Sequence, residues 1–160
     1  MVKNYLWIFL ISMVPLIELR GAIPVSQALE LPLLQSYIVC IAGNMVPVPF
    51  IFLFARKFLE WGQDKGLIGG ICTFFLTKGT NAGQKLQEKA GRGLFVALFL
   101  FVGIPLPGTG AWTGTLAASL LDMDFKETVI AVLAGVLFAG IIMMLISFGA
   151  FSALFAAVRS

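Results

Sequence analysis

Two opposite charges, Glu18 and Arg20, directly follow an apolar stretch near the N-terminus. That stretch, Tyr5 to Ile17, is almost entirely hydrophobic, and Pro15 and Pro24 stand on either side of the charges. An ionisable side chain at the centre of a bilayer costs about 2.5 to 3.5 kcal/mol, so such residues usually have a function. Glu18 is a candidate proton carrier, because desolvation favours a neutral carboxyl and a nearby guanidinium favours a charged one. Arg20, a fixed fork of donors, suits a carboxylate or a phosphate.

The same two residues also fit a permanent lock between segments. Residues at i and i+2 lie about 200° apart on a helix, so Glu18 and Arg20 can meet only if the chain unwinds, for which Gly21 is the candidate. The chain has no histidine. A proton relay must therefore use Glu18, water or a nearby acid.

The composition predicts an integral membrane protein. Of the 160 residues, 59% are hydrophobic and 12% are charged, and the mean hydropathy is +0.99, whereas soluble domains carry about 25% charged residues. Without histidine, and with only Cys40 and Cys72 in separate apolar segments, zinc sites and Cys-His nucleophiles lack their ligands. We expect no enzyme, no metal, no cofactor and two buried cysteines without a disulfide.

A basic segment divides the chain. Residues 56–92 contain seven Lys or Arg and three Asp or Glu, which indicates a cytoplasmic linker rather than a nucleic-acid groove. Within it, Leu67–Leu76 is predicted to lie at the membrane interface and Asn81–Ala90 to form a polar helix. Both segments are interpreted as parts of a solvated connector. The prediction is one multi-pass domain, 1–160, in a cell membrane and specifically a prokaryotic plasma membrane, with halves 1–55 and 93–160.

The two halves share an order of apolar segments. Each has a short apolar piece, a segment broken by proline or glycine, a second short piece, a polar turn and a full span. The predicted spans are Leu33–Phe54, interrupted at Gly43–Pro49, and Thr128–Phe155. This order predicts an all-α fold with a two-fold internal repeat. Gly21-Ala22 can be set against Gly110-Ala111, Ala28 against Ala117 and Gly43 against Gly135.

Two topologies follow from the broken segments. If both are re-entrant hairpins, each half is a hairpin plus a transmembrane helix, and the halves are related by inversion. If both cross fully, the termini and the linker all lie in the cytoplasm. Charge counting favours full crossing, because Lys3 and Arg159 would then lie inside. The short, half-length pieces favour re-entrant hairpins.

The two broken segments, Pro15–Pro24 and Pro105–Gly114, resemble those of the small multidrug export family, which is similar to the DedA superfamily of membrane proteins. The resemblance implies two re-entrant hairpins that face one another and proton-coupled transport. Some DedA-like proteins move polyprenyl-phosphate or other lipids between leaflets. This chain has Gly108-Thr109-Gly110 where an arginine-bearing second motif is expected, and it is shorter than typical DedA proteins.

The leading functional hypothesis is a proton-coupled secondary transporter that exports small molecules bound between the two hairpins. A lipid flippase or scramblase and a non-transporting scaffold are the alternatives. Expected partners are membrane lipids, a small-molecule or lipid-phosphate substrate and a second copy of the chain, but no nucleic acid. A half-helix beginning near Gly110 would aim free amides at an anion. Besides Glu18 and Arg20, the residues predicted to line the substrate cavity are Gly21, Pro24, Asn44, Pro105, Pro107, Gly108, Thr109, Gly110, Trp112 and Thr113.

Overall fold

The backbone of the computed structural model is described for residues 2–66, 68–90 and 93–159, and within these ranges it is helical with no strand. Nine α-helices and one π-helical turn make up this part of the chain. They are α1 (Val2–Met13), α2 (Glu18–Ala28), α3 (Leu33–Met45), α4 (Pro47–Phe50), the π-helical turn Ile51–Ala55, α5 (Arg56–Gly62), α6 (Gly69–Ala90), α7 (Leu94–Gly103), α8 (Ala111–Leu120) and α9 (Phe125–Arg159).

Within the described residues, two helical stretches are long and apolar enough to cross a membrane. They are Leu33–Ala55, which joins α3, α4 and the π-helical turn, and Phe125–Gly149 within α9. Both predicted spans are therefore confirmed in length. The predicted interruption at Gly43–Pro49 is confined to Val46, which keeps right-handed helical dihedrals. Pro47 opens α4, where a missing N–H and a fixed φ are tolerated, so the chain continues as a helix.

The first broken segment turns earlier than the sequence predicts. Helix α1 ends at Met13, and Leu16 and Glu18 adopt positive φ angles of 72° and 52°. The chain therefore unwinds before Glu18 and not at Gly21, which lies inside α2. Pro15 explains the position, because it has no N–H with which to continue α1. Pro24 remains inside α2, where it removes one backbone hydrogen bond without ending the helix.

The second broken segment lies between α7 and α8. Ile104 is extended, and the segment that follows contains glycines at positions 108 and 110 with φ of +83° and +135°. Such angles are costly for residues with a Cβ atom. The chain is thus not helical between Gly103 and Ala111, within and just before the predicted broken segment Pro105–Gly114, and α8 begins at Ala111, next to Gly110, where a half-helix was predicted to begin.

Helices α2 and α8 end in the same way. Beyond α2, Glu30 has φ +54°, and the Leu31 amide donates to the Ser26 carbonyl at 3.0 Å. Beyond α8, Asp122 has φ +52°, and the Met123 amide donates to Ala118 at 3.0 Å. Both are Schellman caps. Each cap leads into a span-length helix, and the starts of α3 and α9, residues 33 and 125, differ by 92 positions, as do those of α1 and α7 at 2 and 94.

Contacts along the helices fix their directions. Tyr5 donates from its hydroxyl to Gln35 Oε1 at 2.5 Å, and a Cβ on Gly43 would lie 2.5 Å from the Phe9 carbonyl oxygen, so α1 runs parallel to α3. Tyr37 donates to the Leu137 carbonyl at 2.8 Å, whereas the rings of Phe52 and Phe125 lie 5.4 Å apart. The two span-length helices are therefore antiparallel.

The linker helix α6 packs against the bundle. Its 22 residues form one helix, in place of the separate pieces predicted, and Leu67 lies outside the described residues. A buried stripe along α6 includes Cys72, Gly79 and Leu86. A Cβ on Gly79 would lie 2.7 Å from Leu116 Cγ, so α6 and α8 are in close contact. The predicted solvated connector therefore has one buried face, which packs against α8 at Gly79, while its other face is exposed.

Large apolar side chains cover the exterior of the span-length helices. Leu34, Phe50 and Phe54 of the first, and Leu145 and Phe148 of the second, are each more than 60% exposed. So much exposed apolar surface is typical of a surface that contacts another apolar phase. The two cysteines are buried and unbridged, as expected.

Candidate functional site

Glu18 lies at the N-terminus of α8. Its side chain is only 4% exposed, and its carboxylate accepts hydrogen bonds from the amides of Ala111 at 3.1 Å and Trp112 at 2.9 Å. These amides belong to the first turn of α8 and have no partner within the helix. A carboxylate at this position also interacts favourably with the positive end of the helix dipole. The start of α2 thus meets the start of α8.

Arg20 binds the segment that precedes α8. Its guanidinium donates to the Leu106 carbonyl and, at 2.8 Å, to Thr109 Oγ1. Thr109 Oγ1 also lies 3.0 Å from the Ile104 carbonyl oxygen and 2.9 Å from that of Leu106. Because the backbone is not helical here, its carbonyls lack intrahelical donors, and Arg20 supplies one. Glu18 and Arg20 thus bind different groups of the second broken segment.

A third contact runs in the opposite direction. The indole Nε1 of Trp112 donates to the Met13 carbonyl at 3.0 Å, at the end of α1. Each broken segment therefore supplies donors and acceptors to the other. We call this set of contacts the clasp, which consists of Glu18, Arg20, Thr109, Trp112 and the backbone of Met13, Leu106 and Ala111.

Gly110 allows the clasp to close. A Cβ at this position would lie 2.8 Å from the Glu18 carboxyl carbon and 2.9 Å from Oε1. Only glycine leaves room for the carboxylate to reach the two amides. The sequence predicted that the half-helix beginning near Gly110 would hold an anion, and in the structure the carboxylate of Glu18 occupies that position.

Helix α8 itself is buried at most positions. Thr113 to Ser119 are all buried, and the Thr115 hydroxyl has no hydrogen-bond partner among the described residues. A helix buried on all sides is part of a core. The clasp therefore anchors a central helix of the bundle, so any change in the clasp acts on the core.

Two cavities flank the clasp. The first, of about 650 Å³, lies between α6 and α7 and includes Pro107, Gly108 and Thr109 in its lining. The second, of about 460 Å³, is almost wholly apolar and includes Trp112 and Thr113. Lys78 lines both cavities. Five residues predicted for a single substrate cavity thus line two cavities.

Other predicted residues line neither of these cavities. Gly21 and Pro24 lie within α2, and Pro105 lies in the segment after α7. Asn44 is 2% exposed in α3, and its Oδ1 has no hydrogen-bond partner among the described residues. An unpaired buried amide oxygen is unusual in a native structure.

Sequence reasoning missed the polar lining of the first cavity. Lys78, Asn81 and Lys85 of α6 all line it. Their spacing, i, i+3 and i+7, places them on one helix face, and this signal was present in the sequence. Among the described residues, no group of three or more His, Cys, Asp or Glu side chains is placed to hold a metal ion.

The fold and the site define an all-helical protein with two span-length apolar helices, in which two helix-breaking segments bind each other. The chain belongs to the family described as "Putative small multi-drug export protein", whose model matches residues 18–142. That match begins at Glu18. It includes the first broken segment from the start of α2 and the whole of the second broken segment. No curated protein and no solved structure matches the chain significantly.

Proposed function

We propose that this protein is a proton-coupled secondary transporter that exports small molecules across a prokaryotic plasma membrane. The observation that carries the proposal is the Glu18 carboxylate, buried at the N-terminus of α8 and held by two backbone amides. The family's description as a small multidrug exporter supports the export of small molecules. Multi-pass insertion is supported by the two span-length apolar helices and their exposed apolar side chains.

The proposal includes re-entrant hairpins and an inverted repeat. Helices α1, α2, α7 and α8 have 10 to 12 residues each, so none exceeds about 18 Å against a hydrocarbon core of about 30 Å. Because α1 is parallel to α3, α2 must return toward the side on which α1 begins. The two span-length helices run in opposite directions, which supports an inverted relation between the two halves. The clasp then joins the tips of two hairpins, the arrangement that the resemblance to DedA-like proteins implies.

Proton binding at Glu18 is the coupling step. The carboxylate accepts from both amides, whereas a protonated carboxyl uses one oxygen as a donor and retains less capacity to accept. Protonation therefore weakens the hold on α8 and favours separation of the hairpin tips. The Arg20 contacts with Leu106 and Thr109 keep the second broken segment in place until Glu18 is protonated.

Transport in reconstituted vesicles tests the proton role. Vesicles with a pH gradient and a panel of cationic and anionic dyes should show gradient-driven dye movement with the wild type. Glu18→Gln retains the shape of the side chain but cannot release a proton, so it should abolish that movement. Glu30→Gln is the matched control, because Glu30 is exposed in the loop after α2, and it should transport normally.

A structural role for the clasp is the second candidate function. It is favoured because the side chains of Glu18, Arg20 and Trp112 each connect residues 13–20 with residues 106–112 by hydrogen bonds. In that case Glu18→Gln would lower the stability of the fold and leave transport per folded molecule unchanged. Unchanged transport by Glu18→Gln would contradict the proton-carrier role.

A further inference from the structure

The first cavity has a charged wall and an apolar wall. The charged wall is the face of α6 that carries Lys78, Asn81 and Lys85, and the apolar wall is α7. Its volume of about 650 Å³ lies within the range of about 300 to 1,000 Å³ typical of small-molecule sites. Among the described residues that line it, none is acidic. The cavity therefore presents positive charge without a compensating carboxylate.

The apolar wall is a continuous ridge. Val96 and Leu100 line the cavity at successive turns of α7, and Ile104 lines it directly after the end of that helix; each is more than 40% exposed. The ridge is about 12 Å long at 1.5 Å per residue, which is enough for a hydrocarbon chain to lie along it. A positive face opposite an apolar ridge is complementary to a molecule with an anionic head and an apolar tail.

The cavity also reaches the clasp. Lys78 Nζ would lie 3.8 Å from a Cβ on Gly108, and the neighbouring Thr109 lines the cavity while it accepts a hydrogen bond from Arg20. An anion held by Lys78 would therefore lie beside the segment that the clasp holds. The ammonium of Lys78 also lies 5.2 Å from the ring centre of Phe74, which limits its positions.

We propose that the cavity between α6 and α7 binds an anionic amphiphile, with its phosphate or carboxylate at Lys78 and Lys85 and its hydrocarbon chain along Val96, Leu100 and Ile104. Transport of that ligand rests on the proposed function, but its binding does not. The head and tail can come from a membrane lipid or from a free amphiphile, since both offer the same chemistry. Two arms of one experiment separate these sources.

Native mass spectrometry of the full chain in a neutral maltoside detergent measures the binding. The first arm compares dodecyl phosphate with zwitterionic dodecylphosphocholine, and the second compares phosphatidylglycerol with phosphatidylcholine. We expect the anionic probe to bind about tenfold more tightly in at least one arm. Preference in the second arm identifies lipid as a source, and preference in the first arm alone identifies a free amphiphile. Equal affinity within both pairs would overturn the proposal.

Charge variants locate the site. Lys78→Gln and Lys85→Gln should each weaken binding of the anionic probe by about tenfold, while Lys78→Arg should keep it. Lys57→Gln makes the same charge change at an exposed position outside the cavity lining, and it should leave binding unchanged. An equal loss with Lys57→Gln would show non-specific attraction and refute the site. If Lys78→Gln does not fold, the comparison of Lys85→Gln with Lys57→Gln decides alone.

The same samples separate failure of this inference from failure of the proposed function. Glu18→Gln tests the proton role through transport, whereas Lys85→Gln, at a position outside the clasp, tests the inferred ligand through binding. A preference of the wild type for the anionic probe together with unchanged transport by Glu18→Gln would refute only the proton role. Proton-driven transport without a preference for the anionic probe would refute only the inferred ligand.

Discussion

At the scale of single residues, the clasp assigns different tasks to Glu18 and Arg20. The sequence predicted one site for both, and in the structure both lie where the two broken segments meet. Each has its own partners: Glu18 accepts hydrogen bonds from two backbone amides, and Arg20 donates hydrogen bonds to a carbonyl and a hydroxyl. The arrangement satisfies backbone groups that two breaks in helical structure leave free.

We predict that the two diverging donors of the Arg20 guanidinium are necessary for the stability of the fold. Arg20→Lys keeps the charge but replaces two diverging donors with one ammonium, so the contact with Thr109 should be lost. We expect the free energy of unfolding to fall by about 1.5 to 3 kcal/mol, the range for hydrogen bonds to charged groups. Unfolding in mixed detergent micelles with increasing denaturing detergent measures the change.

A double-mutant cycle supplies the control for Arg20. Thr109→Val removes the acceptor, and in the wild-type background it should cost more than in the Arg20→Lys background, with a coupling of at least about 0.5 kcal/mol. Thr109→Ser retains the hydroxyl and should change little. Strict additivity of Arg20→Lys and Thr109→Val would mean that the two side chains do not interact.

At the scale of helices, Gly110 determines whether the start of α8 can receive Glu18. Gly110→Ala brings a methyl group against the carboxylate and also forces a Cβ into φ +135°. Gly108→Ala is the matched control, because it has φ +83° but only Lys78 Nζ within 4 Å of the added atom. Gly108→Ala should cost about 1 to 3 kcal/mol through backbone strain, and Gly110→Ala should cost more.

The excess cost of Gly110→Ala isolates the contact with Glu18. In a Glu18→Ala background the carboxylate is absent, so Gly110→Ala should then cost less than it does in the wild type, and the remainder is the backbone strain. Thermal unfolding of the four purified variants in one detergent provides the comparison. If Gly110→Ala remained equally costly without the carboxylate, backbone strain alone would account for it.

The helices were more predictable than the contacts between them. Hydropathy and proline positions were sufficient to predict the two spans and the second break. Both predictions depend on local sequence, because an apolar run sets the length of a span and a proline lacks the N–H that would continue a helix. The sequence predicted the first turn at Gly21, about five residues too far along the chain. The turn comes earlier because Pro15 cannot continue α1. Gly21 itself fits within α2, where a Cβ would approach Ile17.

The partners of the site required the tertiary fold. Glu18 and Trp112 are 94 positions apart in sequence, and nothing local indicates that the anion for α8 comes from the chain itself. The pairing of Gly21 with Gly110 was also displaced. The starts of α2 and α8 differ by 93 positions, which sets Gly21 opposite Gly114, whereas the 92 positions between the starts of α3 and α9 match Gly43 with Gly135. Helix boundaries therefore align the halves better than the weak residue identities.

At the scale of the whole molecule, the two topologies place different charged residues on the same side of the membrane. Since α1 is parallel to α3, a re-entrant first hairpin places Lys3 and Glu30 on one side of the membrane. The antiparallel α9 then places Asp64 and Lys126 together on the other side. Full crossing of both broken segments makes a different pairing, with Lys3 and Asp64 on one side and Glu30 and Lys126 on the other.

Cysteine labelling separates these pairings. All four positions are exposed, and replacing the buried Cys40 and Cys72 with alanine gives a background in which single cysteines can be introduced. A membrane-impermeant maleimide should label Lys3→Cys and Glu30→Cys in vesicles of one orientation, and Asp64→Cys and Lys126→Cys in vesicles of the other. Because the basic linker favours the cytoplasm, we expect the second pair to face inward. Labelling of Lys3→Cys and Glu30→Cys from opposite sides would refute the re-entrant hairpin, since one chain segment cannot both return and cross.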